Sequence, residues 1–229
     1  SLTPTLHSAR MFDLGRLRAE AQTAHGVTLD FFTPGCDFGP ASPLPASRVG
    51  HVGNMRRWQA TAVNLLKDRR DVILCAPTGA GKTTVFQAVA RAAGPLTVTV
   101  VVVPHVAHAE HAAGVSTAED VDNELHVLWA AGRHLQALVA ALDCVLDTSG
   151  LSRPVLLFTT PESLPRVTRS LAPRSERVAV AAIILDEADA VLFGGSAAHR
   201  GSMGDAVAIM RRSCPEAPVL LAGKQLMQW

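Results

Sequence analysis

"LCAPTGAGKTTVFQ", residues 74–87, sets two glycines, a lysine and three threonines between an apolar run and a helix-forming run. The apolar run "DVILCA" (71–76), ended by Pro77, reads as a buried parallel strand. Residues 85–93 read as a helix that Gly94-Pro95 stops. Between a strand and a helix, small residues let successive N–H groups curl around phosphate oxygens at the helix N-terminus. The segment Ala76, Pro77, Thr78, Gly79, Ala80, Gly81, Lys82, Thr83 and the adjoining Thr84 is therefore a candidate triphosphate cradle. Lys82 would reach the β and γ phosphates of ATP, and the Thr83 hydroxyl would hold Mg²⁺. Ala76 stands where the strict pattern has glycine.

Outward from this loop, strand and helix signals alternate. "LTVTVVVVP" (96–104) is the strongest strand pattern; "RPVLLFTTP" (153–161), "VAVAAIILDEAD" (178–189) and "APVLLAG" (217–223) add three buried strands. Helices are predicted over 58–66, 124–146, 162–170 and 204–212, while 105–123 shows no clear period. Such alternation predicts an α/β three-layer sandwich, its central sheet mainly parallel and covered on both faces. Ligands are then expected at the carboxyl ends of the strands. Residues 1–50, a short helix near 10–23 followed by a proline- and glycine-rich run over 33–50, read as an appendage and linker, leaving 51–229 as the domain.

The 229 residues are 48% hydrophobic, ample for one large core. A net charge of +1 supplies no basic field, so any nucleic-acid contact must rest on local surface and backbone amides. Four widely spaced cysteines form no CxxC pair, which argues against a zinc site or a disulfide framework and for a reducing, intracellular setting. No apolar run reaches membrane-span length and no signal peptide is indicated, so no membrane partner is expected. The chain opens at Ser1 and is read as a fragment.

A triphosphate cradle needs a second anchor for its metal. The run Ile183-Ile184-Leu185 leads into Asp186-Glu187-Ala188-Asp189, which sets two carboxylates at the end of a buried strand. Asp186 could hold Mg²⁺ through its water shell, and Glu187 could orient the attacking water.

"APTGAGKT" followed by "LDEAD" resembles the superfamily two helicases, whose first RecA-like, P-loop NTPase domain carries these motifs in this order; the likeness spans residues from about 55 to 221. "MRRWQ" (55–59) resembles the motif that the RecQ-like DNA helicase branch carries upstream of the P-loop. That resemblance implies that Gln59 pairs with adenine and that Arg56 supports the nucleotide pocket. An amide suits adenine because it offers one donor and one acceptor. "TTPESL" (159–164) resembles the same branch, whereas DEAD-box RNA helicases usually carry Thr-Pro-Gly-Arg there. The implied partner is thus single-stranded nucleic acid, DNA rather than RNA, held at Pro104 and His105 and at Thr160, Pro161 and Glu162. Arg166 and Arg169 are the nearest added cations.

Three departures from the family pattern stand out. The loop after the DEAD tetrapeptide has Phe193 as its lone aromatic, and Ala222-Gly223-Lys224 replaces the usual Ser/Thr-Ala-Thr. The third is the end at Trp229, before any second RecA-like domain, which in helicases supplies arginine fingers worth ~10³ or more in rate in related NTPases. The expectation is that the chain alone binds ATP·Mg²⁺, hydrolyses it slowly and unwinds nothing. A degenerate nucleotide- and nucleic-acid-binding module and a DEAD-box-type RNA helicase domain are the alternatives. A small-metabolite P-loop kinase fits less well with DEAD and Gln59. His105, His108 and His111, three residues apart, drift around a helix and read as polar surface, not as a metal site.

Overall fold

The structure, a computed structural model, describes residues 55–120, 123–147, 152–188 and 208–224. The readings of residues 1–50, of Asp189 and of the Phe193 loop lie outside them. Helix α1 (Arg57–Lys67) leads to β1 (Val72–Cys75), α2 (Lys82–Ala93), β2 (Thr97–Val102), α3 (Val106–Glu119) and β3 (His126–Ala130). Then come α4 (Leu135–Asp147), β4 (Val155–Thr159), α5 (Leu164–Leu171), β5 (Ala179–Leu185), a helical stretch at 208–213 and β6 (Val219–Gly223). Every strand pair is parallel, in the order β1-β6-β5-β2-β4-β3. The predicted α/β sandwich is the observed one.

Each strand is apolar on both sides because each side is covered, and the period of two sorts its residues between two cores. Val101, Phe158, Ile184 and Leu220 face α1, α2 and α3; Val100, Leu157, Ile183 and Leu221 face α4, α5 and Met210. The order of the strands matters more for function. Chain connection carries β1 to β2 across two places that β6 and β5 later fill. The carboxyl ends of β1, β6, β5 and β2 thereby become neighbours, which is where a parallel sheet presents ligand sites.

Two elements differ from the expectation. Residues 124–146 are not one helix: His126–Ala130 is an edge strand paired with β4, and only Leu135–Asp147 is α-helical. A five-residue apolar run beside a helix carries no period of its own, and pairing with β4 decides its state. Residues 106–119, unassigned from the sequence, form α3; its buried face is only Ala109, Ala113 and Ser116, too small to stamp a pattern. The predicted helices at 58–66, 85–93 and 162–170 shift by a few residues at their ends.

α3 is fixed at its C-terminal end by a polar cluster. Arg91 Nη2 on α2 donates to Asp120 Oδ1 at 2.8 Å, the Leu125 N–H donates to Asp120 Oδ2 at 2.9 Å, and Gln87 donates to Glu119 at 2.6 Å. Burial pushes the Asp120 carboxyl up, but the Arg91 bond, the Leu125 N–H and the Arg91 charge outweigh it, holding the group below its ordinary 3.8. A depressed carboxyl stabilises the fold above its unfolded value and loses that contribution as pH falls through the folded one. Asp120→Asn is therefore expected to lower the melting temperature at pH 7, with the gap to the unmodified protein closing below about pH 4, as thermal melts across pH will record.

Candidate nucleotide site

α2 begins at Lys82, three residues before the sequence-predicted start, so Lys82, Thr83 and Thr84 form its first turn. Their N–H groups are among those a helix leaves without internal partners. Gly81 caps the helix with φ at 93°, and Gly79 has φ at 77°, conformations in which side chains are strained. Space also demands glycine at 81: a Cβ there would sit 2.7 Å from Gln59 Nε2. Ala76 is tolerated where the pattern has glycine because its φ is not positive and its side chain is buried, its N–H donating to Gly223 O at 2.9 Å. Pro77, Thr78 and Gly79 are exposed at the rim, and Ala80 is buried beneath them. Lys82 Nζ donates to Ala76 O at 3.1 Å and Pro77 O at 3.3 Å, which places the ammonium across the mouth of the loop.

Gln59 is buried and locked. Its Oε1 accepts from the Arg56 N–H at 2.6 Å, and its Nε2 donates to Gly81 O at 2.9 Å. The upstream motif thus braces the P-loop, a role the sequence reading did not assign. One Nε2 hydrogen and one Oε1 lone pair remain beyond these two bonds. Arg56 is exposed at the start of α1.

β5 delivers the second anchor. The Asp186 N–H continues the ladder to Val102 O at 2.9 Å, and Asp186 Oδ1 accepts the Glu187 N–H at 3.0 Å. Burial pushes the Asp186 carboxyl above its ordinary value; the Glu187 N–H and the Lys82 charge oppose the rise, and the neighbouring Glu187 adds to it. Glu187 turns sharply in the left-handed region, φ 51°. A non-glycine residue held there costs about 1–2 kcal/mol, a cost commonly found at functional positions.

These groups meet in one cavity of about 440 Å³, within the usual range for small-ligand sites. Thr78, Gly79, Gly81, Lys82, Thr83 and Thr84 form one wall and Asp186 and Glu187 another. Gly223 and Lys224 close the β6 side. His108 and His111 are exposed on α3, as polar helix surface, and that surface lines the cavity, which only the tertiary packing of α3 could reveal. The donor set suits the ligand expected. Loop amides and Lys82 match phosphate oxygens, while a hydroxyl at Thr83 and a carboxylate at Asp186 are the hard oxygen donors Mg²⁺ prefers. A carboxylate whose charge burial disfavours gains most from a cation.

The residues expected to touch nucleic acid lie on the same sheet edge but outside this cavity. Val103 N–H donates to Thr159 O at 2.9 Å, which sets the loop bearing Pro104 and His105 beside the one bearing Thr160, Pro161 and Glu162. His105 and Glu162 are exposed and Pro104 is half-buried, but Thr160 and Pro161 are buried. The Thr160 hydroxyl donates to Ser163 Oγ at 3.1 Å, so this threonine shapes the turn into α5 and does not present its side chain outward. Arg166 and Arg169 are exposed on α5.

The profile of DEAD/DEAH box helicases matches residues 56–213, well over half of the chain. The chain belongs to this helicase family. It is thus a domain of the helicase ATP-binding type, and its all-parallel six-stranded sheet has the RecA-like α/β fold. Among solved structures it is similar to the DEAD-box helicase Mss116 bound to ssRNA and UDP-BeF (20% identity, TM-score 0.55, covering 73% of this chain and 35% of that one). It is similar also to a DEAD box protein from the hyperthermophile Methanococcus jannaschii (21%, 0.53, 73% and 43%). A third similar structure is the DUF1998 helicase MrfA bound to DNA and AMPPNP (14%, 0.60, 82% and 28%). At these identities the likeness is one of fold, and the helicase domain spans less than half the length of each of these chains. A search of curated proteins found no match.

Proposed function

We propose that this helicase domain binds ATP·Mg²⁺ and single-stranded DNA as the first RecA-like domain of a RecQ-like DNA helicase, hydrolysing ATP slowly on its own. The observation that carries the reading is the convergence of the P-loop, Asp186 and Glu187 on one cavity at the carboxyl edge of the sheet. Loop amides and Lys82 hold the phosphates. Gln59, which the RecQ-like resemblance assigns to adenine, is buried against Gly81 O and is not among the residues lining the cavity. Thr83 and Asp186 are the groups that would hold Mg²⁺, which when bound draws charge from the β and γ oxygens. Glu187 orients a water whose oxygen bonds to the γ-phosphorus as the bond to the β–γ bridging oxygen breaks, and it accepts the water's proton. The products are ADP and phosphate. A second RecA-like domain is the expected partner, since no arginine finger reaches the cavity from the described residues.

The RecQ-like reading rests on Gln59 and on Thr160-Pro161-Glu162. DEAD-box similarity keeps RNA in contention, and the carboxyl-edge loops bind phosphate without distinguishing the two. A second reading, a binding module without coupled catalysis, is favoured by Ala222-Gly223-Lys224, which brings no hydroxyl to the cavity wall. Fluorescence anisotropy with single-stranded DNA and RNA oligonucleotides, with and without a non-hydrolysable ATP analogue, together with ATP hydrolysis assays with and without DNA, tests both. DNA is expected to bind more tightly, and more so with nucleotide. Preference for RNA would replace the RecQ-like reading by the DEAD-box one, and ATP hydrolysis that DNA leaves unchanged would favour the module.

A further inference from the structure

Glu187 has a partner that the function above does not use. On α3, His108 Nδ1 lies 3.5 Å from Glu187 Oε2, with the two side chains 47% and 43% exposed. An exposed pair of this kind contributes little to stability, typically ~0.2–1 kcal/mol. Yet it sits inside the nucleotide cavity and joins two elements, β5 and α3, that approach only through the fold. Resting on the nucleotide reading given above, we infer that His108 is a positioning residue for Glu187: its ring N–H fixes which way the carboxylate aims at the γ-phosphate side of the cavity.

Three observations support this. The backbone turn at Glu187, φ 51°, leaves its N–H bound to Asp186 and sends the side chain toward α3, where His108 is the polar group that meets it. A flexible three-torsion carboxylate aims in one direction only if something holds its far end, and a misplacement of about 1 Å in a reacting group can cost ~100-fold in rate. The helix that carries His108 is tied to its neighbours at both ends. α3 is seated at its start by Val106, which packs so closely on Gly132 that a Cβ there would stand 2.9 Å from it, and at its end by Gln87 and Arg91 on α2. His111, one turn along, lines the same wall. A distance of 3.5 Å is long for a hydrogen bond, and such contacts often tighten only with substrate bound.

Asparagine places an amide N–H near the Nδ1 position, while leucine keeps bulk without a donor, so His108→Asn and His108→Leu separate pairing from packing. With the 229-residue chain in excess over ATP, single-turnover assays give the hydrolysis rate, and titration with a non-hydrolysable analogue gives affinity. His108→Leu is expected to lower the rate roughly 10-fold at unchanged affinity, and His108→Asn to restore most of it. Independently of turnover, long-range ¹H–¹⁵N spectra of the imidazoles, with His108 identified by its loss in His108→Asn, should show its Nδ1 signal move in Glu187→Gln. A rate unchanged in His108→Leu, a parallel loss of affinity, a failure of His108→Asn to rescue, or an unmoved Nδ1 signal overturns the assignment. A protein that binds ATP but never hydrolyses it overturns it too, while leaving the nucleotide site standing. Absence of any ATP affinity is instead the failure of the functional reading on which the inference rests.

Discussion

Lys82→Ala is expected to weaken ATP·Mg²⁺ binding by roughly 100-fold or more, read by calorimetric titration, with far-ultraviolet circular dichroism unchanged. The ammonium of Lys82 now donates to two neutral carbonyls, Ala76 O and Pro77 O. Phosphate oxygens are stronger acceptors, because a hydrogen bond to a charged partner is worth ~1.5–3 kcal/mol, and each ~1.4 kcal/mol is tenfold in affinity. Two such contacts account for the expected loss. Stability should change by less than about 1 kcal/mol, since Lys82 is half-buried and the packing of α2 rests on Val85, Phe86, Ala88, Val89 and Ala90. Unaltered ATP affinity in this variant would remove the P-loop assignment altogether.

Glu187→Gln should give the complementary result: ATP affinity retained within a few-fold and hydrolysis reduced about 10²–10⁴-fold, as single-turnover assays will measure. Glutamine preserves size and can still meet His108, but it cannot take up the proton released by the attacking water. Binding should survive because the proposed arrangement assigns the phosphates and metal to Asp186, Lys82 and the loop amides, not to Glu187. If affinity collapses with the rate, Glu187 holds the nucleotide or its metal and its assigned role is wrong. The two variants together separate gripping the triphosphate from cleaving it.

How much of this was legible beforehand differs from element to element. β2 and β4 declared themselves because β-branched and apolar runs bounded by proline admit few other states. β3 did not, since "HVLWA" continues into a helical pattern and becomes an edge strand only by pairing with β4. α3 stayed unread for the opposite reason: alanine and serine bury its face without marking a period. Gln59 was expected by resemblance to meet adenine; its bond to Gly81 O was not legible, because it depends on how α1 lies against the loop. Thr160 was expected to face a ligand and instead closes a turn.

The shape of the loop was settled by the sequence, because its requirements are local: glycines free to take positive φ, and a helix whose first N–H groups lack internal partners, all within a dozen residues. The strand ending in Asp186 and Glu187 was settled in the same way, by an apolar run giving out into charge. Their meeting was not. It required β6 and β5 to fill the gap left between β1 and β2, a long-range pairing that no local pattern encodes. That same arrangement brought α3 over the cavity and set His108 against Glu187, because which side chains become neighbours across elements is fixed by packing and not by position along the chain.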